Sequence, residues 1–226
     1  MYNFHFFMTI TWHGQSCFRL QGTDVSILID PFFSEIGLVA PRSRNDIVLI
    51  SHNHSDHNNY NGEGFKISGP GEYEVKEVFV LGIEGHHIDN DEKNKELITI
   101  YKIKMEGITL CHLSDFGQKN FLKDQLDLIG DVDILFVPVG GEYVLDGKKL
   151  KTLSGKEASE IVNEIEPRIV IPMHYKVPGL KIKEDGVDDF LKAEGEKNLE
   201  PVEKLVIKKR DLDDEGKTHI VILKTP

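Results

Sequence analysis

Ser51-His52-Asn53-His54-Ser55-Asp56-His57 places four potential metal ligands within six residues. The stretch follows Asn45-Asp46-Ile47-Val48-Leu49-Ile50, a polar lead-in and then an unbroken aliphatic run, which predicts a short buried strand. On an extended backbone, positions two apart point the same way, so His52 and His54 face one ion together. Asp56 and His57 come where the chain must turn, within reach of a second ion beside the first. Imidazole nitrogens and a carboxylate suit Zn, Mn, Fe or Ni better than Ca or Mg. A polar turn that happens to hold three histidines is the competing reading, and the alternation of ligands at a strand end speaks against it.

The rest of the chain is punctuated in the same way. Met8 to Trp12, Ser16 to Gln21 and Val25 to Asp30 read as strands, the last stopped by Asp30-Pro31 because proline does not continue a central ladder. Phe32 to Arg44 is a loop in which Arg42 and Arg44 could hold a phosphate or carboxylate, though a solvated loop explains them better. Phe65 to Ser68 and Glu72 to Val75 flank Gly69-Pro70-Gly71, a turn without the strand–glycine–helix context of a phosphate loop. Val78 to Glu84 is a further strand, ending in Gly85-His86-His87. His52 and His54 leave their ion open, so His86 or His87 is expected to add a third ligand.

Asp89 to Glu96 is a charged run expected to be a solvated hairpin loop between Val78–Glu84 and the paired strands Leu97–Ile103 and Ile108–Leu113. Asp115 falls at the end of the last of these, while His112 shares a face with Ile108 and Leu110 and reads as core. Asn120 to Ile129 has helical spacing and stops at Gly130. Asp133 to Val139 is a buried strand, Gly140 to Tyr143 a turn beyond it, and Tyr143 a candidate pocket residue. Ser154-Gly155-Lys156-Glu157 is a capping box that starts a helix to about Ile165. Arg168 to Ile171 leads into Pro172-Met173-His174-Tyr175. A helix at Val187–Ala193 and strands at Lys204–Lys208 and His219–Leu223 are expected to complete one sheet. Such alternation fits a layered α/β or α+β domain.

Thr11-Trp12-His13-Gly14-Gln15-Ser16-Cys17-Phe18, Leu28-Ile29-Asp30-Pro31, the His-x-His-x-Asp-His motif, His112-Leu113-Ser114-Asp115 and Ile171-Pro172-Met173-His174-Tyr175 occur in one order. In that order the chain resembles the metallo-β-lactamase superfamily, and within it the small metal-dependent hydrolases that include the L-ascorbate-6-phosphate lactonases. Gly14-Gln15-Ser16 departs from the Gly-His-Ser that lactonase-like members often carry there. The resemblance implies an α+β fold, a four-layer αββα sandwich of two mixed sheets with helices outside. It implies one ion held by His52, His54 and His87, and a second held by Asp56, His57 and His174. Asp115 would bridge them, and Asp30 would support the site. Two divalent cations, zinc foremost and Mn, Fe or Ni as alternatives, would generate a bridging hydroxide, with Asp56 orienting it or moving its proton. The implied activity is hydrolysis of an ester, lactone, amide or phosphoester bond in a small molecule. A nuclease or phosphodiesterase and a non-catalytic metal-binding module are the alternatives. A flavin-linked di-iron reductase fits poorly, because its usual glutamate is replaced here by His54.

Composition narrows this further. With 27 basic against 38 acidic residues the net charge is −11. Such a surface repels polyanions, and no Lys/Arg cluster with interleaved aromatics offsets it, so nucleic acid is a disfavoured partner. The 226 residues suit one domain over 1–226. Residues 1–7 read as an extension if Met8 is an alternative start, and they lack the basic start and cleavage site of a signal peptide. No apolar run is long enough for a membrane span. Cys17 and Cys111 fall within strands and read as core thiols in a reducing cytoplasm.

Overall fold

A strict alternation starts the chain: along β1, Met8–Gly14, the side chains of Met8, Ile10 and Trp12 are buried while Thr9, Thr11 and His13 are only partly covered, the period of two that one buried face imposes. The structure, a computed structural model, describes residues 7–87, 96–212 and 216–226. The charged run expected as a loop at 89–96 lies, but for Glu96, outside the described residues, as do residues 1–6. β2 (Cys17–Gln21) and β3 (Ser26–Ile29) extend β1 as an antiparallel meander, and β4 (Ile47–Ile50) and β5 (Phe65–Ser68) then add in parallel. β3 and β4 are buried on both faces, which is why they read as continuous runs rather than alternating ones.

The second sheet begins as another meander, β6 (Gly71–Val75), β7 (Val78–His86), β8 (Leu97–Met105) and β9 (Ile108–His112). Helix α1 (Lys123–Ile129) carries the chain back so that β10 (Ile134–Pro138) lies parallel to β9. It starts three residues later than its apolar spacing predicts, with Leu122 at the cap position. Next comes a hairpin, β11 (Gly140–Leu145) and β12 (Lys148–Ser154), where the sequence reading expected only a turn. Helix α2 (Gly155–Ile165) opens on the expected capping box: the Ser154 N–H donates to Glu157 Oε2 at 2.8 Å and the Glu157 N–H to Ser154 Oγ. β13 (Ile169–Met173) then pairs in parallel with β10, followed by α3 (Asp188–Ala193), β14 (Leu205–Ile207) and β15 (His219–Ile220).

The two sheets are mixed and run β14-β1-β2-β3-β4-β5 and β15-β13-β10-β9-β8-β7-β6. β14 and β15 do not complete one sheet, as expected, but close an edge of each, with Met8 opposite Ile207 and Ile169 opposite His219. Two short strands of weak pattern are free to go wherever an edge needs a partner. The sheets pack face to face, Phe18 meeting Phe136 with ring centroids 4.5 Å apart among Trp12, Ile29, Ile100 and Leu110. α2 and α3 cover the outside of the second sheet, with Ala158, Ile161 and Phe190 in the same core. Over the first sheet the outer layer is Ile36 of a 3-10 turn (Ser34–Ile36), Leu38, Ile182 and the hairpin residues Tyr143, Leu145 and Leu150, set on Leu28, Val48 and Ile50. Among the described residues no helix is long and apolar enough to cross a membrane.

Candidate metal centre

The strands of both sheets deliver their C-terminal ends to one edge of the sandwich. β4 runs out into the histidine motif, β7 into His86 and His87, β9 into Ser114 and Asp115, and β13 into His174. Several of these exits are made through backbone that side-chain-bearing residues rarely adopt: Gln15, Asp30, Ser114 and His174 have φ of 48°, 44°, 53° and 50°. Left-handed non-glycine residues carry a strain that persists where surrounding structure holds it, and here they cluster around one constellation.

Two groups of side chains form that constellation: His52, His54 and His87, and next to them Asp56, His57, Asp115 and His174. In each group one ligand atom per residue lies within 4.8 Å of all the others. His52 Nε2 and His54 Nδ1 are 3.0 Å apart. Asp115 faces both groups. Its Oδ2 lies 3.2 Å from His87 Nε2 and 3.2 Å from His174 Nε2, while Oδ1 lies 3.0 Å from His57 Nε2. Asp56 Oδ2 stands 3.6 Å from both His57 Nε2 and His174 Nε2.

The other nitrogen of every one of these five rings already has a neighbour. His52 Nδ1 lies 2.9 Å from Ser51 Oγ, His54 Nε2 2.7 Å from Glu96 Oε1, and His87 Nδ1 3.1 Å from the Lys151 carbonyl. His57 Nδ1 lies 3.1 Å from Asp30 Oδ2, and His174 Nδ1 2.8 Å from Glu184 Oε2. A hydrogen-bond acceptor on the outer nitrogen, as at His54 and His87, fixes the tautomer and leaves the inner nitrogen's lone pair for a cation. At His57 and His174 the carboxylates of Asp30 and Glu184 stand within ion-pair distance without hydrogen-bond geometry. Asp30 is itself held by the Ser51 N–H and Oγ, each at 2.8 Å, and so does more than end a strand.

Electrostatics test whether a cation fits. Burial alone would raise Asp56 and Asp115, but the neighbouring His57 and His174 hold both carboxyls well below the usual carboxylate range. Reciprocally, burial would lower His57 and His174, and the charges around Asp115 push both well above an ordinary histidine. Without metal, protons on His57 and His174 thus neutralise two fully buried carboxylates. Neither oxygen of Asp56 accepts a hydrogen bond, and His57 Nε2 has none either. Buried charge and unpaired polar atoms are costly, and a cation among these donors would relieve both. His52 is driven well below its ordinary value, by burial first and then by His57, and stays the neutral ligand form. The donor set fits.

Each expected residue has a place. His87 is fully buried in the first group, whereas the His86 ring lies against Gln118. His112 is buried away from both groups with its Nε2 2.9 Å from the Ser16 carbonyl. Arg42 and Arg44 are exposed. Gln15 Nε2 comes within 3.2 Å of His174 Nε2, and Ser16 Oγ donates to Asp115 Oδ1. Cys17 and Cys111 are buried free thiols, raised by burial, Cys111 to about 12. The sequence reading did not foresee Glu184, Glu96 or the depth of Tyr143. Tyr143 is 3% exposed, and its hydroxyl donates to Asp115 Oδ2 at 2.6 Å and lies 2.9 Å from His87 Nε2. Burial and then Asp115 push this phenol well above its usual value.

Comparison with known proteins finds relatives along most of the chain. A family model described as the β-lactamase superfamily domain matches residues 9–174. A UPF0173 protein of Pyrococcus abyssi is 30% identical over 198 residues, 76% of this chain and 85% of that one. A UPF0173 metal-dependent hydrolase of Pyrococcus horikoshii is 26% identical over 193 residues, 72% of this chain and 82% of its own. Among solved structures, a Thermotoga maritima protein described as a candidate Zn-dependent hydrolase of the metallo-β-lactamase superfamily superposes with a TM-score of 0.72. It is 32% identical, and the match covers 96% of this chain and 100% of that one. The matched segment runs from β1 to His174 and so spans both ligand groups and the strands that aim them; the chain belongs to the β-lactamase superfamily.

Proposed function

We propose that this protein is a binuclear metal-dependent hydrolase that opens an ester, lactone, amide or phosphoester bond in a small molecule. One observation carries the reading: seven histidine and aspartate side chains bring one ligand atom each into two groups that lie side by side, every atom within 4.8 Å of the others in its group. His52, His54 and His87 would hold one ion, Asp56, His57 and His174 the other, with Asp115 shared. Two divalent cations so held, zinc foremost, supply hydroxide from water at neutral pH and polarise the bond under attack.

The chain's own groups do the remainder. Asp56 is fully buried with both oxygens unengaged by hydrogen bonds, so the oxygen not given to the ion would be free to accept a hydrogen bond from an attacking water and hold it in line. Asp30, Glu96 and Glu184 set a carboxylate beside the outer nitrogens of His57, His54 and His174. The relatives named metal-dependent hydrolases support the activity class, and none supplies a substrate. The lactonase reading therefore enters as one substrate class among four.

Metal content of protein purified without added metal, beside an Asp115→Ala variant, tests the proposal together with a panel of p-nitrophenyl esters, lactones and phosphodiesters. About two equivalents in the parent, at least one lost in the variant and metal-dependent turnover of one class are expected. A single equivalent unchanged in the variant would refute the shared site. Two equivalents with no turnover of any class would leave a metal-binding module.

A further inference from the structure

The hairpin β11–β12 gives the metal reading only the Lys151 carbonyl beside His87, and its Tyr143 is left unused. Its tip is latched to the histidine motif, Ser55 Oγ donating to Asp146 Oδ2 at 3.0 Å. At its base, Gly141 takes φ 68° and the ladder slips between Gly140 and Glu142, a bulge of the kind that re-aims a side chain. That side chain is Tyr143. Its ring stands between the two ligand groups, with centroids 4.9 Å from His174 and 5.9 Å from His87.

The phenol carries one proton and faces two acceptors, Asp115 Oδ2 at 2.6 Å and His87 Nε2 at 2.9 Å. The His87 Nδ1–H donates to the Lys151 carbonyl, so Nε2 presents a lone pair. Cations on these ligands would claim the His87 lone pair and share the Asp115 oxygen. The hydroxyl would then keep its donor while its acceptors were drawn away, and at 3% exposure it has no bulk water to turn to. The acceptor left within reach is an oxygen of whatever molecule binds at the centre.

We propose that Tyr143 is a catalytic residue, a neutral phenol that donates a hydrogen bond to the substrate oxygen on which negative charge develops. This rests on the metal-centre reading above and deepens it: each of the four substrate classes develops negative charge on an oxygen, and the phenol would set that oxygen on the His87 side of the centre. A preorganised donor at that place stabilises charge without reorganisation, and removing one such donor costs roughly 100- to 1000-fold in kcat.

The test uses Tyr143→Phe, which removes the hydroxyl and keeps the ring that packs the hairpin. Both proteins are loaded with Co(II), their metal stoichiometry and visible spectra recorded, and each is titrated with inorganic phosphate as a tetrahedral oxyanion. Unchanged stoichiometry and an unchanged phosphate-free spectrum are expected, with phosphate binding weakened roughly 10- to 100-fold, the range for a hydrogen bond to a charged group. Equal phosphate affinity in the two proteins, or no phosphate binding to the parent, would overturn the donor role. Lost metal or an altered phosphate-free spectrum would overturn it differently, by making Tyr143 a ligand or a structural prop. If the parent hydrolyses nothing while the phosphate difference holds, the hydrolase reading fails and the donor role stands.

Discussion

At the scale of single residues, the centre is governed by the outer partners as much as by the seven inner side chains. Glu184 illustrates this. It sits on an irregular stretch after β13, its side chain fully buried with Oε2 2.8 Å from His174 Nδ1. It puts a negative charge behind a ring whose inner nitrogen faces Asp115, Asp56 and Gln15. Outer partners of metal-binding histidines typically contribute about 10- to 100-fold in affinity. In the binuclear centre proposed above, Glu184→Ala should therefore weaken the ion beside His174 by about that factor and leave the one at His52, His54 and His87 in place. Glu184→Gln should recover part of the loss, because its amide oxygen still accepts. Competition against a graded chelator, read as two separate release steps, measures it. Simultaneous release of both ions, or no change in either, would contradict a role confined to His174.

At the scale of elements, what could be read in advance divides by whether the signal was local. The motif after β4 was legible because its ligands alternate on a short strand, and β3, β9 and β13 were legible as apolar runs with a polar residue at the exit. The hairpin β11–β12 was not read, although its signal is present. Asp146 and Gly147 take φ of 49° and 78°, the two-residue turn that Asp-Gly favours between alternating strands; the glycine pair at 140–141 drew the reading to a turn instead. Glu184 had no local signal at all, since only tertiary folding brings the 181–185 segment under His174, where the Asp185 N–H donates to the Gly140 carbonyl. Gly140 is where these elements meet most tightly, because a Cβ there would stand 2.2 Å from the His174 carbonyl oxygen. Gly140→Ala should push β11 and His174 apart, destabilising the fold by about 1–3 kcal/mol and lowering occupancy of the second ion. A thermal melt and metal analysis together check this, and an unshifted melting temperature with full metal content would show that the backbone yields freely.

At the scale of the whole molecule, two sheets share one core and one functional edge, so whatever holds the sheets together also holds the ligand groups in register. Most of that is the apolar interface around Phe18 and Phe136, and polar ties add to it, among them Tyr101 donating to the Ile50 carbonyl and, at the rim, a contact of Asp46 with Lys76. Asp46, at the entrance to β4, accepts from the Ser26 N–H and hydroxyl, each at 2.9 Å, and from Lys76 in the β6–β7 turn of the other sheet. Lys76 first, then the Ser26 N–H and hydroxyl, lower the Asp46 carboxyl to about 2. A carboxyl that is more acidic folded than unfolded stabilises the fold above its unfolded value, near 4, and loses that contribution as pH falls toward 2. Asp46→Asn should therefore lower stability at pH 7 by about 1 kcal/mol or less, since Lys76 is exposed and its pair is screened. The parent and the variant should converge as the pH is taken from 4 to 2, because protonation removes from the parent what the substitution has already removed. Urea unfolding at pH 7, 4 and 2 measures the difference directly. A gap that persists unchanged at pH 2 would mean that Asp46 acts through shape rather than charge, and that the rim of the sandwich is held by packing alone.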